Sequence, residues 1–204
     1  MSDMAAMPLV QAANQKKLTF EQYLLTPYDG RRTEFVAGEI IDATELSPRH
    51  IDIVETLRER LKAYIRSHAP DLVVKSGPGV QIPQIGRPDN SRDPDLLICT
   101  KGQWQAMSGF TKALFLKGTP PLLTIEVVSP GTLKKDTQDN VGEYADAKIP
   151  EYWVVNPLPG YESVSVWVLD GRAYALKGEF KGEQPVQSDL LTLWDVTAAE
   201  MLAG

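Results

Sequence analysis

The sequence holds a single cysteine, Cys99. One thiol excludes an intramolecular disulfide framework and any zinc site built on several cysteines. Long hydrophobic runs are missing too. No stretch approaches the ~18 apolar residues of a membrane span, so no membrane partner is expected. The opening MSDMAAMPLVQAANQKK lacks a basic start followed by an apolar core, so it does not read as a secretion signal and a cytoplasmic location is expected. An excess of basic residues is absent as well: Lys and Arg number 21 against 27 Asp and Glu, a net charge of −6. That argues against a general electrostatic grip on nucleic acid but not against a local basic cleft. There is no repeat or low-complexity segment. With 43% hydrophobic and 24% charged residues, the chain is no disordered polymer.

What is present suits one domain over 18–204 behind an N-terminal arm, 1–17, that lacks periodicity. Thr19 and Gln22 form a capping-box pattern before Phe20, Tyr23 and Leu24. Asp29-Gly30 signals a turn. Residues 33–41 (TEFVAGEII) read as a hairpin turning near Gly38. Ile51, Val54, Leu57, Leu61 and Ile65 recur at helical spacing and predict a helix over 48–67, with Glu55, Arg58, Glu59 and Lys62 on its solvated face. Short strands are expected at 72–75, 80–82 and 94–98, with a polar loop over 83–92 and a connection over 101–121. LLTIEVV, residues 122–128, is a continuous apolar run of strand length, as for a strand buried on both faces. A helix over 136–147, a strand over 152–155, a hairpin across Asp170-Gly171 and a capped helix or turn over 188–202 complete the order. Helix and strands followed by strand–helix–strand imply an α/β domain around a mixed central sheet flanked by helices.

Two acidic residues interrupt apolar strands. Asp95 precedes Leu96-Leu97-Ile98, and Glu126 lies inside LLTIEVV. A carboxylate there is costly to desolvate unless it is paired or holds a cation. Two such groups at neighbouring strand ends would make a hard oxygen site for Mg²⁺ or Mn²⁺, which suits phosphodiester hydrolysis. By spacing alone the alternative is open: Asp95 capping a turn and Glu126 paired with a core arginine. Cys99 has no histidine placed beside it by any pattern, and it reads as a buried strand residue. Ser129 is not in a nucleophile-elbow pattern, and Gly77-Pro78-Gly79 lacks the strand–loop–helix context of a phosphate cradle.

Read as an ordered set, DPDLLI, then PPLLTIEVVSPGT, then EYADAKIPEYWVVNP resembles the Uma family of restriction-type endonucleases, in the PD-(D/E)xK restriction-endonuclease-like superfamily. LTFEQYLLTPYDGRRTEFVAGEII upstream fits as well, and the resemblance spans roughly residues 17–200. It implies a restriction-endonuclease-like fold and metal-dependent DNA cleavage, with Asp95 and Glu126 as metal ligands and Mg²⁺ or Mn²⁺ as the cofactor. It also implies Glu34 as an upstream acidic residue of the catalytic set, with a structural partner as the alternative, and matches His50 at the start of the long helix, where a plain helix-start residue is the alternative. DNA is then the expected partner, and a homodimer the expected assembly.

The chain departs from the family at one position. The superfamily lysine two residues after the glutamate is replaced here by Val128. Relatives of this kind carry it on the next helix, four residues before a tyrosine; that tyrosine is Tyr144, and the lysine position is Asn140. Asp136, Asn140 and Tyr144 lie on one helical face. Asparagine orients a water but supplies no positive charge. Lys134, Lys135 and Lys148 are the nearby substitutes, each with a plain surface lysine as the alternative. Two functions follow: an active endonuclease, or a catalytically degenerate relative that binds nucleic acid or protein.

Overall fold

The computed structural model describes residues 17–27, 30–43 and 46–204; most of the expected arm, and Asp29 of the expected turn, lie outside them. Two helices frame the N-terminal hairpin. α1, Phe20–Leu24, is capped by Thr19 through the expected reciprocal bonds with Gln22. β1, Thr33–Val36, and β2, Glu39–Asp42, pair across Ala37-Gly38. Both turn residues have positive φ, 52° and 88°, as a tight hairpin turn demands. α2, Pro48–His68, starts from a Ser47 cap with proline in its first turn. Its buried stripe is His50, Ile53, Leu57, Leu61 and Ile65. Ile51 was expected inward but is 45% exposed. The four-residue steps from Ile53 to Ile65 fix the buried side, and Ile51 falls about two helical steps off it.

Two sheets organise the remainder. β3, Leu72–Lys75; β6, Leu96–Thr100; β8, Leu123–Val127; β9, Glu151–Asn156; β10, Ser163–Asp170; and β11, Ala173–Phe180 form a six-stranded sheet in the order β11-β10-β9-β8-β6-β3. It is mixed, since β8 and β9 run parallel and the other pairs antiparallel. β4, Gly79–Ile82; β5, Asn90–Arg92; and β7, Leu114–Phe115 join the hairpin in a five-stranded sheet, β2-β1-β5-β4-β7. The expected mixed sheet flanked by helices is present, and the second sheet adds to it. β5 corrects the expected loop over 83–92. Asn90, Ser91 and Arg92 are polar yet buried, because Arg92 and Asn90 find acceptors on other elements. The connection after β6 holds α3, Lys101–Ala106, besides β7.

Alternation along the central strands explains the continuous apolar runs. Leu123, Ile125 and Val127, with Trp153 and Val155, face α2 and the C-terminal α5, Ala198–Leu202. Tyr152 and Val154 face the opposite core with Leu97, Cys99 and Tyr144. Side chains on a strand alternate between faces, so a strand covered on both sides needs apolar residues at nearly every position. Glu126 points to the second face. The segment that crosses from β8 to β9 is not the uninterrupted helix expected over 136–147. Lys135–Asp139 is a π-helical turn, and α4, Asn140–Asp146, continues from it. The Asn140 N–H bonds to the Lys135 carbonyl five residues back, while the Asp136 carbonyl accepts from the Tyr152 hydroxyl at 2.7 Å. A side-chain donor inserted into the ladder is a recognised cause of such a widened turn. At the C-terminus the expected helix or turn is both: α5 is helical, and residues 189–193 form turns held by Glu151. Its carboxylate takes the Ser188 hydroxyl and the Asp189 and Leu190 N–H groups. Among the described residues no helix is long and apolar enough to cross a membrane.

Candidate active site

Strand register brings the two acidic residues together. Leu96 pairs with Ile125 across the antiparallel β6–β8 ladder, so one further step sets Asp95 against Glu126. The Asp95 N–H faces Glu126 Oε2 at 3.3 Å, and the Val127 N–H donates to Asp95 Oδ2 at 2.9 Å. Both carboxylates line a narrow cleft with room of about 30 Å³, enough for an ion or a water. Glu34, Lys135, Asp136 and His50 line the same cleft. Thus Glu34 and His50, weighed from sequence, stand at the carboxylates, and so does Asn140. A larger cavity of about 420 Å³ adjoins it and shares Asp93; the carboxylate pair is in the smaller one.

The crossing segment supplies the floor. Tyr144 donates its hydroxyl to Glu126 Oε1 at 2.7 Å, and Asn140 Nδ2 reaches the same oxygen at 3.2 Å and Asp136 Oδ1 at 3.4 Å. Asn140 is fully buried, and its Oδ1 has no hydrogen-bond partner. The three substitute lysines now separate. Lys134 pairs outward with Asp139, and Lys148 is exposed. Lys135 turns inward and its Nζ is 3.1 Å from Glu34 Oε1. The other Glu34 oxygen receives Arg92 Nη1 at 2.8 Å, and Arg92 also donates to Glu143 on α4. Asp95 Oδ1 receives Arg32 Nη2 at 2.9 Å; His50 Nε2 stands 3.2 Å away without hydrogen-bond alignment.

Charge in the cleft is unbalanced. Burial first, and then the negative charges of Asp136 and Asp95, push Glu126 well above the ordinary carboxylate range, against the pull of Lys135 and Tyr144. Burial likewise raises Asp136 to about 7, although Thr132 and Lys135 pull it down. Asp93 is raised to about 7 by burial and by Glu34, against Arg32 and the lysines. Burial also works against ionised Asp95, but His50, the Val127 N–H and Arg32 outweigh it and keep this group below its usual value. Glu126, Glu34 and Asp136 raise Lys135 although burial opposes its charge. A hard divalent cation would relieve the excess negative charge. Among the described residues no three His, Cys, Asp or Glu side chains close into a metal cage. Two opposed carboxylates suit an ion that fills its other positions with water and phosphate oxygens, as Mg²⁺ does.

Arg32, Arg92, Asp93 and Asp136 were not singled out as site residues from the sequence. Asp136 carried a signal, since it shares a helical face with Asn140 and Tyr144. Arg92 carried none, because an Asn-Ser-Arg strand reads as loop.

A family model described as Uma2, "Putative restriction endonuclease", matches residues 20–199. No curated protein matches. A crystal structure described as a "putative nuclease belonging to DUF820" from Anabaena variabilis superposes with a TM-score of 0.71 at 16% identity, covering 91% of this chain and 98% of that one. At that identity the likeness establishes the fold.

Proposed function

We propose, since this chain belongs to the Uma2 family of restriction endonucleases, that it is a Mg²⁺- or Mn²⁺-dependent endodeoxyribonuclease of the PD-(D/E)xK type. Family membership supports a nuclease. The observation that carries the finer reading is the meeting of Asp95 and Glu126 at adjoining strand ends, with the Lys135 ammonium turned into the same cleft.

Asp95 and Glu126 would hold the ion. When bound, it would polarise the scissile phosphate and lower the pKa of a water molecule. The chain's own groups do the rest. Tyr144 and Asn140 fix Glu126 Oε1 from below, so the carboxylate cannot turn away from Asp95. Arg92 holds Glu34, and Glu34 holds Lys135. The restrained ammonium offers a fixed positive charge to the phosphate as it gains negative charge in the transition state. Lys135 thus takes the part that the family gives to a lysine at position 140. The π turn makes this substitution geometrically natural, because its i to i+5 bond stacks Lys135 over Asn140. The cavity beside Asp93 offers space for the strand flanking the scissile phosphate. Cutting both strands of a duplex takes two such clefts, which motivates a homodimer; sedimentation of the purified protein checks it.

The test is plasmid nicking with Mg²⁺ or Mn²⁺. Wild type should nick and Glu126→Gln should not. A wild type that leaves DNA intact under both metals would favour the second reading, a degenerate relative that binds without cutting. The observation behind that reading is Asn140, a neutral amide between two carboxylates where the family has a cation.

A further inference from the structure

Lys135 is not the only cation at the carboxylates. Arg32 precedes β1, and its side chain is 36% exposed, reaching Asp95 from the cleft mouth. Its hydrogen bonds all come from one nitrogen: Nη2 donates to Asp95 Oδ1 at 2.9 Å and to the Asp93 carbonyl oxygen at 3.1 Å. Nε and Nη1 have no acceptor among the described residues. Asp95 itself is divided. Oδ2 is fixed by the Val127 N–H, whereas Oδ1 faces the partly exposed Arg32 and the buried His50, which is not aligned to hydrogen-bond it. Arg32 would compete with a divalent cation for Oδ1, the oxygen it already holds. A planar guanidinium with its Nε–Nη1 edge open matches the paired oxygens of a phosphate. Lys135 has no such freedom, because Glu34 holds it.

We propose that Arg32 is a phosphate-gripping arm that exchanges Asp95 for a non-bridging oxygen of the DNA phosphodiester when a divalent cation takes Asp95 Oδ1. This rests on the nuclease reading of the cleft. No bond is made or broken by Arg32; it binds the substrate and stays charged throughout. The exchange couples two ligands. With Asp95 Oδ1 engaged, the Arg32 guanidinium would be free to receive the phosphate, so each ligand would tighten the other.

The test uses the whole chain, a short fluorescein-labelled DNA duplex, and Ca²⁺ or a chelator, with anisotropy as the readout. Wild type should bind the duplex more tightly in Ca²⁺ than in chelator. Arg32→Ala should lose roughly tenfold in Ca²⁺, the worth of one charge-assisted contact, and lose little in chelator. Calorimetric titration with Ca²⁺ alone should show Arg32→Ala binding the ion as tightly as wild type or more so, because a competitor is gone. Arg32→Lys keeps the charge without the fork and should recover only part of the coupling; it also decides the matter if the alanine variant does not fold. Equal loss of DNA affinity with and without Ca²⁺, or weaker Ca²⁺ binding in Arg32→Ala, would overturn the exchange and leave Arg32 a structural partner of Asp95. Plasmid cleavage is scored separately. An uncut plasmid removes the nuclease reading, while the metal-dependent difference in anisotropy still decides the role of Arg32.

Discussion

Lys135 Nζ lies 3.1 Å from Glu34 Oε1, an ion pair between residues 101 positions apart that ties the π turn to the hairpin sheet. The pair is half-shielded, with 29% of the lysine side chain and 7% of the glutamate side chain exposed. It therefore resists screening better than a surface pair does. It also decides where the cleft's positive charge sits.

Lys135→Ala should lower plasmid nicking by ~10²–10³, the usual cost of removing one preorganised electrostatic stabiliser. Lys135→Ala combined with Asn140→Lys should regain part of the loss, because position 140 already touches Glu126 and Asp136. Nicking by Lys135→Ala at the wild-type rate would show that the charge comes from elsewhere.

Asp95→Ala and Glu126→Ala should each weaken Mn²⁺ binding at least ~10-fold in calorimetric titration, the effect of losing one of two carboxylate ligands. The exposed Glu183→Ala should bind like wild type. Equal heats from all four proteins would remove the metal site.

Asp136 sets a pH dependence of stability. Its folded pKa, about 7, lies above the ordinary 3.8, so the folded state binds more protons than the unfolded chain between those values. Stability must then fall as pH rises through that window. The charges facing Asp136 are Lys135, Asp95, Glu126 and Glu34. Asp136→Asn should lessen the fall of the melting temperature between pH 5 and 7.5, with Asp93 and Glu126, both also raised, supplying what remains, and the difference is about 2–4 °C for each kcal/mol in a chain of this size. A wild-type melting temperature that climbs across the same range would contradict this assignment. Mn²⁺ affinity should move the other way, strengthening as the cleft carboxylates ionise.

Glu151 tests the opposite kind of buried carboxylate. It accepts from Trp153 Nε1 and Ser188 Oγ, each at 2.6 Å, and from the Asp189 and Leu190 N–H groups at 2.9 and 3.0 Å. Glu151→Ala strands four donors and should cost ~3 kcal/mol or more in urea denaturation. Metal affinity of the folded fraction should stay unchanged. A loss below about 0.5 kcal/mol, typical of an unremarkable surface change, would show that water replaces the carboxylate.

Asp95 and Glu126 were legible because each interrupts or borders a continuous apolar run of strand length, where a charge is conspicuous. The N-terminal capping box and the hairpin turn were legible from local chemistry alone. Arg92 was not. Its strand is held by partners 51 and 58 positions away, and no local pattern announces a polar strand that will be buried. The inward turn of Lys135 also escaped, since it depends on a hydroxyl from Tyr152 entering the helix ladder. Ile51 lies on the other side of the helix from Ile53, and the four-residue steps from Ile53 to Ile65 mark which side is buried.

The crossing from β8 to β9 carries Lys135, Asp136, Asn140 and Tyr144, and it is closed only when Leu123–Val127 and Glu151–Asn156 align in parallel. A nascent chain already bears Glu34, Asp95 and Glu126 while these partners are still unmade or undocked. Parallel pairing across so long a connection is intrinsically slow, because its closure entropy is met before its contacts exist. The carboxylate cleft is thus completed only with the finished sheet. A truncated or half-folded copy has the carboxylates without the lysine, amide and hydroxyl that organise them.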